Sequence, residues 1–300
     1  MDNTTVRAST SVRRRSAALV AAVAACAAGP LLVVSPGVVP GASAATSVTA
    51  ASAAPTAAAA TVAGRELVLD LDAGAAGGEG TPVPTAGTVA TAAEIRTHAS
   101  GVATAVRHRG AGSALRLPAF AAVADRGTVP VAVLAVTPTG ARSLDPGAGD
   151  FVFGASVRVD RTSTGTTTDN GDNVVQRGLI GSPAQMKLQV DGRRPACRVK
   201  GADGEVQVTA DRRLRAGRWY DLSCRRAGDT VTLVQRGVGA DGVVVRQRWT
   251  RRGPTGSLSA LGRGVPLTVG GKTDATGAPL TAGADPLNGS VDDIYLDLLR

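Results

Sequence analysis

Glutamate occurs only four times in the chain, as Glu66, Glu79, Glu94 and Glu205, and histidine only twice, as His98 and His108. Cleaving a glycosidic bond takes two carboxyl groups that flank it, one as acid and one as base or nucleophile. No two glutamates here share an extended segment, and the acid nearest Glu205 is Asp211, past the end of its strand. Asp292 and Asp293 are strand neighbours, so they are expected to point to opposite faces. Nucleophilic hydrolysis is no better supplied. There is no G-x-S-x-G, and His98 and His108 lie in the least patterned third of the chain, where they read as surface residues. The run Gly237–Gly242 spells G-x-G-x-x-G, but it joins two extended segments and no helix start follows it. It reads as a turn. No catalytic residue is assigned.

The basic residues suggest attraction to acidic partners. The formal charge of +9 falls to +6 without residues 1–44, which hold four arginines and one aspartate. Arginines cluster at Arg212, Arg213, Arg215, Arg218, Arg225 and Arg226, and again at Arg246, Arg248, Arg251 and Arg252. They alternate with apolar residues, so they read as a solvated basic surface. Nucleic-acid recognition would also need a motif or stacking aromatics, and none is found. The excess of arginine over lysine fits a GC-rich genome.

The residues that must position any site begin after a leader. Arg13, Arg14 and Arg15 precede the apolar run 16–35, and Ala42-Ser43-Ala44 matches a signal-peptidase site, which makes 1–44 a signal peptide. An uncleaved anchor is disfavoured by Gly29-Pro30. Val23-Ala24-Ala25-Cys26 resembles a lipoprotein box, the minority alternative, in which Cys26 would carry lipid. Residues 45–64, rich in Ala, Thr and Ser, form a linker, and 65–300 form one domain. The protein is expected to be secreted, with no membrane span after processing.

Inside that domain the period is two. Phe151, Phe153, Ala155, Val157 and Val159 alternate with small or polar residues, as do Met186, Leu188 and Val190. Similar segments recur at 67–72, 115–118, 129–136, 174–180, 206–209, 219–224, 230–236, 243–250, 265–269 and 291–298, separated by Gly, Asp, Asn and Pro. Ala90–His98 is the best helical candidate and a poor one. About a dozen strands in one unit predict an all-β fold, two antiparallel sheets packed as a sandwich or jelly roll.

Five short segments carry a family resemblance, in order. They are Asp150–Gly154, Val174-Val175-Gln176-Arg177-Gly178, Gln185–Leu188, Gly217-Arg218-Trp219-Tyr220 leading to Cys224, and Asn288–Ile294. Together they resemble LamG-type, concanavalin A-like lectin/glucanase domains, and the chain is read as part of a secreted actinobacterial protein. The resemblance implies a concanavalin A-like jelly roll and a non-catalytic module recognising a glycan or cell-envelope polymer. The alternative is a protein-adhesion or structural envelope module with no sugar site.

Sugar faces need exposed rings, so Trp249 and Trp219 are the ligand-binding candidates. Tyr220 shares a phase with Leu222 and Cys224 and is expected in the core. The resemblance also implies one structural calcium ion at Asp292, with Asp70 and Asp72 beside it and the loop 169–173 as a weaker second place. Asp292 shares a phase with Ile294, Leu296 and Leu298, which predicts a packed position. Without Cys26 two cysteines remain, and export predicts a Cys197–Cys224 disulfide.

Overall fold

Valine and alanine fill this interior because aromatics are scarce, and residues of that size pack as strands rather than as a few large anchors. The computed structural model describes residues 64–72, 74–110, 112–118, 128–160, 171–239 and 242–299, and the expected leader, Cys26 and nearly all of the linker lie outside them. Two antiparallel sheets face each other. The first runs β15 (Val244–Arg252), β14 (Thr230–Val238), β13 (Trp219–Ala227), β8 (Asp150–Val159), β17 (Gly289–Leu299), β1 (Leu67–Leu69) and β3 (Thr85–Ala86). On this sheet β6 (Ser113–Arg116) also pairs with β17, and β5 (Thr104–Arg107) pairs with β6. The second sheet runs β12 (Gly204–Thr209), β11 (Arg194–Gly201), β10 (Gln185–Asp191), β9 (Asp172–Arg177), β16 (Leu267–Val269), β7 (Val131–Pro138), β4 (Thr91–His98) and β2 (Pro82–Val83).

The alternation works as expected in the long strands. Phe151, Phe153, Ala155, Val157 and Val159 of β8 are buried and face Met186, Leu188 and Val190 of β10 across one core. Tyr220 is buried, as its phase predicts. The helical reading of Ala90–His98 is overturned: Thr91–His98 is β4, paired along its whole length with β7. Ala93 and Ile95 point to the core, while Arg96 bridges Glu79 and Glu94 outside.

Two arginines depart from the solvated surface. Arg226 is buried, and its guanidinium donates to the carbonyls of Gly147 (3.0 Å), Gly149 and Gly256 (2.6 Å) while lying over the Phe151 ring. Arg177 is equally buried and donates to Val265 O (3.0 Å) and Gly262 O (2.5 Å). Burial pushes both guanidinium pKa values down. Arg226 thus bonds carbonyls of the 147–149 loop and Gly256, and Arg177 bonds carbonyls at 262 and 265. The arginines staple these loops to the sandwich.

Cys197 on β11 and Cys224 on β13 form the expected disulfide, with Cα atoms 5.4 Å apart. Because those strands belong to different sheets, the bond ties the two layers together. Such a bond fits an oxidising compartment. Among the described residues no helix is long and apolar enough to cross a membrane.

Candidate functional site

The site begins at an irregularity in β17. Asp292 pairs with Ser156 of β8, but Tyr295 pairs with Gly154, so β17 spends one extra residue over the same span. That is a β-bulge, and Asp293 takes the left-handed φ of 49° that it requires. The neighbour on the far side changes at the same point, from β6 at Ser290 and Val291 to β1 at Tyr295 and Leu296.

The bulge shifts the phase. Val291 faces the core before it, and Ile294 and Leu296 face the core after it. Asp292 therefore does not share the packed side with Ile294, and it does not point away from Asp293. Both aspartates come to the outer side of the sheet, which corrects the expectation of opposite faces.

Over the notch lies the turn joining β5 to β6. It is closed by His108 N–H donating to Gly112 O at 3.3 Å, with Arg109 and Gly110 both at positive φ. The turn lowers His108 onto the bulge. Its Nδ1 is 2.6 Å from Asp292 Oδ2 and 3.9 Å from Asp293 Oδ2, and its ring packs on Trp219 with centroids 4.4 Å apart. His108 is 9 % exposed, so the surface reading of this residue is overturned. His98, at the end of β4, is half-buried.

Burial pushes the Asp292 carboxyl up to about 6. The charges of Asp293 and Asp72 add to that rise, while the Asp293 N–H and His108 oppose it.

From the bulge a row of outward residues crosses the sheet: Asp292, Ser156, Asp221, Arg236 and Arg246, each the register partner of the next. Ser156 Oγ lies 2.6 Å from Asp221 Oδ1 and 2.8 Å from Asp293 Oδ2. A hydroxyl has one proton, so it donates to one of these carboxylates at a time. Arg109 grips Asp221 with both terminal nitrogens, at 2.5 and 3.3 Å.

In the adjoining row Tyr295 lies over Gly154. A Cβ at that glycine would sit 2.5 Å from Leu222 O and 2.9 Å from the tyrosine ring, so only glycine leaves room for it. Arg65 covers the other ring face at 4.2 Å. Burial pushes the Tyr295 pKa up, and its hydroxyl bonds the Ser223 side chain. These rows floor a groove of about 510 Å³ walled by Arg65, Arg109, Asp221, Arg236, Arg246 and Asp293.

The sequence candidates fall in different places. Trp219, at the start of β13, does not line the groove; His108 packs on its ring and the Arg158 guanidinium lies 5.5 Å from it. Trp249 lies on β15 with its ring packed against the core and its Nε1 donating to Asp211 Oδ1 at 2.9 Å. The two tryptophans do not form one face.

The residues at Asp292 do not fit calcium. Its Oδ1 accepts the Asp293 N–H at 2.8 Å and its Oδ2 meets an imidazole nitrogen. One nitrogen and two carboxylates within 4.8 Å depart from the all-oxygen shell that calcium takes. Asp72 accepts the Ser113 N–H, and Asp70 accepts the Asp72 N–H at 3.1 Å. In the second loop, Asp169 and Asn170 lie outside the described residues. Asp172 is fully buried and accepts from Asn288 N and Nδ2 at 2.9 and 3.0 Å, which ties β9 to the start of β17.

The groove is lined by charged and hydrogen-bonding side chains. Glycoside hydrolysis by a carboxyl pair uses one carboxyl that keeps its proton beside the bond to be cleaved. The carboxyl pushed up, Asp292, is buried against His108 and is not a wall of the groove. Ser156 bonds carboxylates and not the imidazole, so no hydroxyl–imidazole relay forms.

No protein-family model matches the sequence, and no curated relative does. Solved structures that match part of the chain include the LG1–3 region of the laminin α2 chain, at 10% identity and a TM-score of 0.41, over 72% of this chain and 32% of that one. The binding domain of botulinum neurotoxin serotype C1 matches at 11% and 0.46, over 79% and 49%. The enzymatically active domain of bacteriophage CBA120 tailspike protein 2 matches at 18% and 0.43, over 67% and 28%. The matched part is about half or less of each of those chains. The two packed antiparallel sheets define the class by themselves: this is a β-sandwich with a polar groove on the outside of one sheet.

Proposed function

We propose that the chain is an exported, non-catalytic binding module that holds carbohydrate in the groove on the outer face of the first sheet. The observation that carries this reading is the floor of that groove. Ser156, Ser223, the Tyr295 hydroxyl, Asp221 and Asp293 bring donors and acceptors together on one sheet face. A hydroxyl-rich chain matches such a floor, since each sugar hydroxyl both donates and accepts. Export rests on the leader at 1–44, and the Cys197–Cys224 disulfide supports it.

The test is a glycan array probed with the processed protein and with Val234→Trp, which fills the groove from the middle of β14. Retention of glycan by the parent and its loss in the variant, at unchanged melting temperature, is the expected result. Trp249→Ala, remote from the groove, is expected to retain binding. Failure to retain any glycan, or equal retention by Val234→Trp, would refute the reading. The first of these outcomes would favour a protein-adhesion module of the cell envelope.

A further inference from the structure

Building on the carbohydrate reading above, we infer that the ligand is an anionic glycan whose carboxylate, sulfate or phosphate groups are held by Arg236 and Arg246. Those two residues are direct register partners on β14 and β15, and both point outward from the same face. Like charges placed opposite each other on neighbouring strands repel. Other cations in the groove are compensated. Arg109 is paired with Asp221, and Arg65 is 3.7 Å from Asp297 and stacked on Tyr295. Asp221 is the register neighbour of Arg236, yet Arg109 and Ser156 already engage it. Among the described residues no carboxylate reaches Arg236 or Arg246. Two guanidinium groups thus stand side by side on the wall of a cavity with no carboxylate of the described residues in ion-pair reach, and their planar forks match an oxyanion.

The aromatic rings point the same way. A neutral sugar is gripped mainly by stacking its C–H face on an open ring. The Tyr295 ring is closed by Arg65 on one side and seated over Gly154 on the other. Trp219 is covered by His108, and Trp249 packs against the core. The groove offers no open ring, so charge and hydrogen bonds are left to hold the ligand.

Arg248 and Arg225, exposed on the same outer face, extend the basic strip along β15 and β13. Strands lie about 4.8 Å apart, and residues two apart on a strand are about 7 Å apart. That spacing gives several charge contacts along one polymer rather than a site for a single ion. An edge strand such as β15 also carries charge simply to prevent pairing with another chain, and the experiment separates the two roles.

Binding of the processed protein is measured on polygalacturonate, dextran sulfate, poly(glycerol phosphate) and neutral dextran. At least one charged polymer is expected to bind and dextran is not, with the polymer that binds identifying the oxyanion. Arg236→Gln/Arg246→Gln is expected to weaken that binding by about tenfold or more. Arg212→Gln/Arg213→Gln removes the same charge from exposed positions outside the groove and is expected to change it less than about twofold. Melting temperatures of both variants verify folding, and a single-site Arg236→Gln replaces the double variant if that one unfolds.

Equal losses in the two variants would mean unspecific attraction to a basic protein and overturn the inference. So would unchanged affinity after removal of Arg236 and Arg246. Binding of dextran, abolished by Val234→Trp, would overturn the anionic ligand while leaving the carbohydrate reading intact. Binding of no polymer, charged or neutral, overturns both.

Discussion

Opening the Cys197–Cys224 bond is expected to cost the sandwich about 3.5 kcal/mol. The two cysteines are 27 residues apart in sequence, and that loop length sets the entropy the cross-link removes from the unfolded chain. For a domain of this size each kcal/mol moves the melting temperature by about 2–4 °C, so the fall is on the order of 7–14 °C. Both sulfurs are fully buried between the sheets, so reductant reaches them only when the fold opens. The protein is therefore unfolded in denaturant with reductant, refolded with reductant kept present, and scanned by calorimetry beside the oxidised form. This comparison keeps the sulfur volume and isolates the cross-link, whereas Cys197→Ala/Cys224→Ala adds a cavity term and should melt lower still. A reduced form melting within about 2 °C of the oxidised form would refute the reasoning. So would two alkylatable thiols on the unreduced processed protein.

Three further outcomes follow from the geometry. In the folded protein Asp292 holds its proton to about pH 6, against an ordinary value of 3.8, so the stability it confers is full below about pH 4 and declines as pH rises to about 6. Asp292→Asn should remove that decline, and superimposable stability–pH profiles for the two proteins would contradict it. Gly154→Ala places a methyl group against Leu222 O and the Tyr295 ring, and should destabilise by about 1–3 kcal/mol in urea titration, with an unchanged midpoint counting against the packing described. Calcium and excess chelator should give the same melting temperature, whereas a calcium-dependent rise lost in Asp292→Ala would restore the ion at this position.

Much of the sandwich was legible because its long strands separate two environments. From Phe151 to Val159 every second residue is apolar, and every one of those is buried. The disulfide was legible from compartment and number, since an exported chain left with two cysteines has one pairing available. The first third resisted for physical reasons. Strands β2 and β3 have two residues each, too few to show any period. In β4 the run Ala92-Ala93-Glu94 favours helix by local propensity, and pairing with β7 overrides that preference.

The candidate site was hidden for a different reason. A strand argument assumes that phase is preserved, and one inserted residue breaks it. The core-facing apolar residues of β17 are Val291, Ile294, Leu296 and Leu298, a step of three followed by steps of two. That single odd step is the signal of the bulge, and taken at face value it puts Asp292 on the outer side. What pattern alone could not supply was the partner, because His108 reaches Asp292 through the pairing of β6 with β17. The basic end of the groove had the opposite character. Arg236 and Arg246 lie on unbroken strands, and their outward direction follows from simple alternation. What needed the structure was the register that sets them opposite each other and spends the nearby carboxylate of Asp221 on Arg109. The groove thus joins an acidic end made by an irregularity to a basic end made by regular pairing, and the arginines that no described carboxylate pairs with lie at the regular end.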